Sequence, residues 1–237
     1  MLEVCVDSMD GAIAALNGGA GRIELCSSLS VGGLTPSAGL MGLAATLQIP
    51  CYAMIRPRCG LFHYTPEEVE IMVSDIGVAR GVGLAGVVLG AQSFSGSLDE
   101  EILRRLVLEA GPLGKTLHRV IDVVPDPLRA LDQAIDLGFE RVLTSGAKPL
   151  APEGQNLIRQ MVIQAKQRLS VMPGCGLTPE NVKVVMDATG ATEAHASCRL
   201  KIEGQPAFSD FDPPSGRSET SEDEVARMVA AIAQRPL

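Results

Sequence analysis

The chain has 237 residues, 46% of them hydrophobic and 20% charged, and a formal net charge of −8. This composition is typical of a globular α/β domain; apolar runs fall short of the roughly 18 residues of a membrane span. Glu3 and Asp7 argue against an export signal. An acidic chain with five Phe, two Tyr and no Trp argues against nucleic-acid binding.

A pattern of helix, glycine and short apolar run occurs four times. Its glycines are Gly19, Gly83, Gly138 and Gly190, at spacings of 64, 55 and 52 residues. A glycine after a helix favours the left-handed conformation that ends it. One strand–helix unit takes roughly 30 residues, so each spacing holds two units.

In chain order, this pattern predicts eight strands, at 2–7, 22–26, 51–56, 85–90, 115–118, 141–144, 169–172 and 193–196. Eight helices are predicted near 8–18, 36–47, 66–81, 99–110, 127–137, 153–167, 178–188 and 222–234. Thr65 and Thr178, each followed by Pro and Glu, are predicted N-caps, and Ser221 begins a predicted capping box.

Eight alternating strands and helices indicate one TIM-barrel-like (β/α)8 domain over residues 1–237, irregular or incomplete near its C-terminal end. An open doubly wound sheet is the alternative fold. It requires a glycine-rich loop after the first strand, and neither GxGxxG nor GxxxxGK[ST] occurs, so no nucleotide cofactor is expected. Residues 203–221 have loop composition and are expected to precede the last helix.

Side-chain alternation along the strands predicts a polar barrel mouth at their C-terminal ends. The expected mouth residues are Asp7, Glu24, Cys26, Arg56, Arg58, His118, His195 and Ser197. Two arginines at such a site suit a carboxylate or a phosphate. Predicted additions to this anion site are the amides of Gly174 and Gly176 and the Ser145 hydroxyl.

Simpler interpretations of the same residues remain open. Glu24 and Arg56 lie on adjacent predicted strands and would also fit a structural ion pair. His195 would also fit a hydrogen-bonded core histidine. His118, Arg119 and Asp122 would also fit a local network that orders the loop after the fifth strand.

Two of the six cysteines, Cys5 and Cys26, fall on neighbouring strands and are both predicted to face inward. Two close thiolates suit Cu(I), and Zn²⁺ with further ligands. A small buried apolar role is the alternative for Cys5. Cys59, Cys175 and Cys198 are expected in loops at the same end of the barrel. Neither CxxC nor HExxH occurs, so spacing alone indicates no metal motif.

Eight short motifs occur in order: MLEVCVDS, GGAGRIELCS, GGLTPS, MIRPR, HRVID, FERVLTSG, MPGCG and HASCR. Together they resemble the copper homeostasis protein CutC family, from residue 1 to about residue 200. The resemblance implies a TIM-barrel-type fold, a cytoplasmic location and a role in copper handling. It also implies Cu(I) binding by Cys5 and Cys26. The chain departs from the family pattern where Cys59 and Cys175 replace Gly and Cys198 replaces Ala.

Two hypotheses of function follow. In the first, the protein binds Cu(I) through Cys5 and Cys26. In the second, it is an enzyme acting on a small anionic or phosphorylated metabolite, with Arg56 as the anion clamp. His118 would then be the general acid or base, with Glu24 as its partner and Asp7 as a further candidate. Copper ion or a small anionic metabolite is thus the expected partner, a homo-oligomer is left open, and neither nucleic acid nor membrane is expected.

Overall fold

Eight short parallel strands form one sheet in the computed structural model, which describes residues 1–202 and 217–234. The strands are β1 (Leu2–Val6), β2 (Arg22–Leu25), β3 (Cys51–Met54), β4 (Gly86–Leu89), β5 (Gly114–Leu117), β6 (Arg141–Thr144), β7 (Ser170–Pro173) and β8 (Ala194–Ala196). Each of β1 to β7 pairs with its neighbour in sequence, and β8 returns to pair with β1.

The sheet curls into a nearly closed barrel. Over the described residues, β7 and β8 lie side by side without a hydrogen-bonded ladder. Eight helices alternate with the strands: α1 (Met9–Asn17), α2 (Ala38–Ala44), α3 (Pro66–Gly81), α4 (Glu100–Ala110), α5 (Pro127–Asp136), α6 (Gln155–Ala165), α7 (Val182–Thr189) and α8 (Glu222–Ala233). This arrangement confirms the predicted TIM-barrel-like (β/α)8 fold.

Helix starts follow the predicted caps with one exception. Thr65 and Glu68 form the reciprocal capping box of α3. At α8 the Ser221 side chain accepts from the Glu224 amide as predicted, but the box is only half formed, because the Ser221 amide donates to the Cys198 carbonyl. The predicted cap at Thr178 was wrong, because α7 begins only at Val182. Residues 178–181 instead form a turn in which the Thr178 amide donates to Asn181 Oδ1 at 2.9 Å.

The segment predicted as a loop at 203–221 contains a strand at its end. Strand β10 (Ser218–Thr220) pairs antiparallel with β9 (Arg199–Lys201), which directly follows β8. The loop prediction was therefore wrong for residues 218–220, and residues 203–216 lie outside the described residues. This hairpin brings chain from after β8 to the mouth of the barrel.

The apolar core lies between the strands and the surrounding helices, where residues such as Val4, Ile23, Val87 and Leu117 are fully buried. The opposite strand face lines the barrel interior and is polar near the strands' N-terminal ends. Arg22 bonds to Glu3 and to Glu193, and Arg141 also bonds to Glu193. Tyr52 lies between the two guanidinium groups, with ring centroid distances of 5.4 and 5.5 Å. This network forms a rigid floor beneath the mouth.

No helix in the described ranges is long and apolar enough to cross a membrane.

Candidate functional site

A cavity of about 650 Å³ opens at the C-terminal ends of the strands, the usual position of active sites in this fold. Six predicted mouth residues line it: Asp7, Glu24, Arg56, His118, His195 and Ser197. Cys5 also lines it, together with residues of the β9–β10 hairpin and the loop after β3. Arg58 and Cys26 are absent from the lining.

Strand register brings together, at the base of the cavity, three side chains of the types that ligate metals. Cys5 on β1 is the register partner of Glu24 on β2, and His195 on β8 is the register partner of Glu3 on β1. One ligand atom from each of Cys5, Glu24 and His195 lies within 4.8 Å of the others, and all three residues are buried. We call these three residues the metal-type cluster.

The buried carboxylate of Glu3 orients His195. Glu3 Oε1 lies 2.8 Å from His195 Nδ1, while the other oxygen of Glu3 is held by Arg22. His195 Nε2 is therefore the ring nitrogen left for the cluster. Burial raises the pKa of Glu3, but His195 and Arg22 outweigh it and hold the pKa well below its usual range. Burial likewise opposes the charge of His195, but Cys5, Glu24 and Glu3 raise its pKa well above the ordinary value.

Glu24 has one occupied and one free oxygen. Its Oε1 accepts a hydrogen bond from the Cys26 thiol at 3.4 Å, and its Oε2 is buried without a partner among the described residues. Burial raises the pKa of Glu24, and the nearby Glu3 charge adds to this. Burial and the Glu24 charge also raise the pKa of Cys26 well above its usual value, which keeps Cys26 a neutral thiol. Cys5 belongs to the cluster, whereas Cys26 donates to Glu24 and packs with Tyr52 and Met54.

Arg56 carries a buried charge that has no carboxylate partner among the described residues. Its guanidinium donates to the carbonyl oxygens of Val31 and Gly33, both at 3.1 Å, and of Gly60 at 3.0 Å. Its Nε is buried without a hydrogen-bond partner over the described ranges. The ion pair with Glu24 that the sequence left open does not form.

His118 lies near Arg56 and is held in one tautomer. Its Nδ1 accepts from the Val120 amide at 3.1 Å, which places the ring proton on Nε2, and Nε2 has no partner among the described residues. Burial and the Arg56 charge lower the pKa of His118 to about 3. The ring is therefore neutral, and its Nε2–H is a hydrogen-bond donor. Phe62 packs against both side chains, 4.6 Å from the His118 ring and 5.1 Å from the Arg56 guanidinium carbon.

Several predicted anion-binding groups are used elsewhere. Arg58 pairs with Glu68 at 2.5 Å on the outside of the cavity. The Ser145 amide donates to Asp122 at 2.9 Å, and the Ser145 hydroxyl contacts the same carboxylate. The Gly174 amide donates to the Thr144 carbonyl at 3.0 Å. Gly176 lies against the Leu150 side chain, and its predicted role in anion binding stays a prediction. Ser145, in the loop after β6, was predicted to bind a ligand anion. In the structure the Asp122 carboxylate occupies that position.

The sequence prediction missed partners from beyond the strands. Arg199 on β9 donates to Asp7 at 2.8 Å, and Arg119 donates to the Cys175 sulfur at 2.7 Å. Cys175 is the loop cysteine that lines the cavity, whereas Cys198 is buried and Cys59 is exposed outside it. Glu3 lies two residues before Cys5, which was predicted to face inward, and this shared phase on β1 was the signal for its contact with His195.

Comparisons with known proteins agree on one family. A family model described as the CutC family matches residues 1–200. A CutC family protein from Caulobacter vibrioides is 46% identical over 237 residues, covering 98% of this chain and 96% of its own. A copper homeostasis protein cutC homolog from Mus musculus is 46% identical over 219 residues, covering 92% of this chain and 80% of its own.

Solved structures show the same relationship. The crystal structure of a copper homeostasis protein CutC from Streptococcus agalactiae matches with a TM-score of 0.80 at 32% identity, covering 83% of this chain and 98% of that one. A thiamine phosphate pyrophosphorylase from Pyrococcus furiosus matches with a TM-score of 0.63 at 15% identity, which shows the fold alone.

Proposed function

The chain belongs to the CutC family, and from this membership we propose that it takes part in copper homeostasis by binding copper at the metal-type cluster. The names of its mammalian relatives support the role in copper homeostasis. The observation that carries the binding site is the convergence of Cys5, Glu24 and His195 within 4.8 Å. A cytoplasmic location is part of the same proposal.

The donor set fits copper by its chemistry. Cys5 supplies a soft thiolate, the ligand that selects Cu(I), and His195 supplies an imidazole, which copper also accepts. The buried, unpartnered Oε2 of Glu24 is a third donor, and a bound cation would relieve its isolation. The set also fits Zn²⁺, which takes Cys, His and carboxylate ligands. Selectivity for copper is therefore the part of the proposal that needs a direct comparison of metals.

The surroundings of the cluster support a metal ligand role for His195. Ligating histidines usually donate their second nitrogen to a carboxylate that fixes the tautomer and the ring orientation. Glu3 occupies that position, 2.8 Å from Nδ1, and is anchored in turn by Arg22. In this proposal Cys26 acts through Glu24, to which its thiol donates. The predicted direct role of Cys26 as a Cu(I) ligand stays a prediction that a Cys26→Ser variant tests.

The experiment is an anaerobic titration of the reduced protein with Cu(I) against a competing chelator, repeated with Zn²⁺. We expect one tightly bound Cu(I) per chain in the wild type and its loss in Cys5→Ser. Cys51→Ser is the matched control. Cys51 is buried at the N-terminal end of β3, away from the mouth, and its thiol contacts the Ala44 and Ile49 carbonyls. Equal copper binding in Cys5→Ser and Cys51→Ser, or tight binding of Zn²⁺ without Cu(I), would overturn the proposal.

A further inference from the structure

We infer that Arg56 and His118 form a subsite for the oxyanion group of a small metabolite, a carboxylate or a phosphate. The inference concerns the metal-free cavity and stands whether or not the cluster binds copper. It rests on two observations. Arg56 and His118 are buried hydrogen-bond donors at one side of the cavity. Among the described residues Arg56 has no carboxylate partner, whereas the other arginines of the cavity do.

Four arginines line the cavity, and three of them have carboxylate partners. Arg119 pairs with Asp122 at 2.9 Å, Arg199 with Asp7 at 2.8 Å and Arg217 with Glu219 at 3.0 Å. Within the described ranges, Arg56 alone among the four has none, although only 8% of its surface is exposed. A buried charge requires compensation, and carbonyl dipoles supply it only in part. A ligand anion is the missing counter-charge.

His118 adds a second donor of the right kind. Its Nδ1 accepts the Val120 amide hydrogen, so Nε2 carries the ring proton. This N–H has no acceptor among the described residues. Its residue exposure is 3%, and it lines the same cavity as Arg56. Two unpartnered N–H groups, one of them cationic, match the acceptor oxygens of an oxyanion. An ammonium or another cationic ligand does not fit this pair.

Phe62 links the two donors and defines the character of the subsite. Its ring contacts both the His118 ring and the Arg56 guanidinium. An apolar wall beside charged donors strengthens their interaction with an anion, because it lowers the local dielectric. The cavity volume of about 650 Å³ is in the range of small-molecule sites.

The anion-binding amides of the loop after β6 are already filled from within the chain. The loop after β6 presents the amides of Ser145 and Ala147, and both donate to the Asp122 carboxylate. In many barrels of this fold phosphate binds at the loops after strands 7 and 8. In this chain the Gly174 amide, in the loop after β7, donates to the Thr144 carbonyl. In this chain the side of the cavity formed by β3 and β5 is left to receive an external anion.

The test uses imidazole ¹H–¹⁵N spectra of the metal-free protein, kept with a chelator and titrated with inorganic phosphate or with succinate. Sodium chloride at equal ionic strength is the control for general salt effects. We expect a saturable shift of the His118 ring signals with at least one oxyanion, and the two arms distinguish phosphate from carboxylate. Absence of a saturable His118 response to both probes overturns the proposal. Because no copper is present, this failure is separate from failure of the proposed function.

Two arginine variants sharpen the test. Arg56→Gln should weaken the oxyanion affinity by at least about tenfold, because it removes the unpaired charge. Arg58→Gln is the matched control, since Arg58 lies two residues away and pairs with Glu68 outside the cavity. We expect the oxyanion affinity of Arg58→Gln to stay within about twofold of the wild-type value. Equal affinity in Arg56→Gln and wild type contradicts the proposal. If Arg56→Gln does not fold, Arg56→Lys replaces it, with weaker binding expected because the fork of donors is lost.

Discussion

His195 and Glu3 form a buried pair in which Nδ1 of the imidazole lies 2.8 Å from Oε1 of the carboxylate. The two residues are register partners on adjacent parallel strands, so the barrel itself sets their contact. Glu3 is completely buried and bonds on its other side to Arg22. The pair connects the ion network of the barrel floor to the metal-type cluster at the mouth.

Glu3→Gln should weaken copper binding by about 10- to 100-fold, because it removes the carboxylate that orients and polarises a ligating histidine. Glu193→Gln is the control: it perturbs the same network through Arg22 and Arg141, without a bond to His195. Competition titration with Cu(I) measures both affinities. A folded Glu3→Gln protein that binds copper as tightly as Glu193→Gln would contradict the proposed role of Glu3.

The low pKa of His118, about 3 in the folded protein, predicts a dependence of stability on pH. Its ordinary value is near 6.5, so between these values the unfolded chain binds one more proton at this site than the folded chain. The free energy of unfolding therefore falls as the pH drops below about 6.5, by up to about 1.4 kcal/mol per pH unit from this group.

His118→Gln removes this contribution, and urea denaturation at several pH values between 7.5 and 5 measures it. Wild type should lose stability more steeply than the variant as the pH falls. The difference between the two curves isolates His118 from the other titrating groups. Parallel curves would show that His118 titrates alike in the folded and unfolded states.

Asp122→Asn should lower the free energy of unfolding by about 3 kcal/mol, since it weakens several charge-assisted bonds at once. The Asp122 carboxylate accepts from the amides of Ser145 and Ala147 and from the Thr144 hydroxyl, and it pairs with Arg119. Asp126→Asn, at the N-cap of α5, should cost well under about 1 kcal/mol, because Asn caps as well as Asp. Urea denaturation compares the two variants, and similar losses would refute the special role of Asp122.

Gly86→Ala should destabilise the barrel by about 1–3 kcal/mol through overpacking. A Cβ at Gly86 would lie 2.2 Å from the Tyr52 ring, which is held between Arg22 and Arg141 on the barrel floor. Gly42→Ala is the control, because nothing lies within 4 Å of its added Cβ and it sits inside α2. That change should stabilise the protein by up to about 1 kcal/mol. Thermal unfolding of the two variants should shift in opposite directions.

The fold was predictable because its signals are local and repeated. Glycines such as Gly19, Gly83, Gly138 and Gly190 end the helical stretches in the left-handed conformation, and short apolar strands follow them. The eight strands were all predicted, with boundaries off by at most two residues. The β9–β10 hairpin was missed because three-residue strands carry too few residues for an alternation pattern.

The site was predictable only in part. Alternation on β1, β2 and β8 predicted Glu24 and His195 at the mouth and Cys5 facing inward. Which partner each arginine binds depends on how the loops at the mouth pack against one another, and side-chain alternation does not show this. Arg56 and Arg58 look equivalent in the sequence, yet Arg56 turns into the cavity and Arg58 turns to Glu68 on α3.

Copper K-edge X-ray absorption of the Cu(I)-loaded protein tests the central claim most directly, because it counts the sulfur and light-atom ligands of the bound metal. Binding at Cys5, Glu24 and His195 predicts one sulfur ligand together with nitrogen or oxygen ligands, including the outer-shell scattering of an imidazole. It also predicts that Cys5→Ser does not retain the copper and that the single sulfur ligand remains in Cys26→Ser. Two sulfur ligands without an imidazole would contradict the cluster and assign the copper to Cys5 and Cys26 instead.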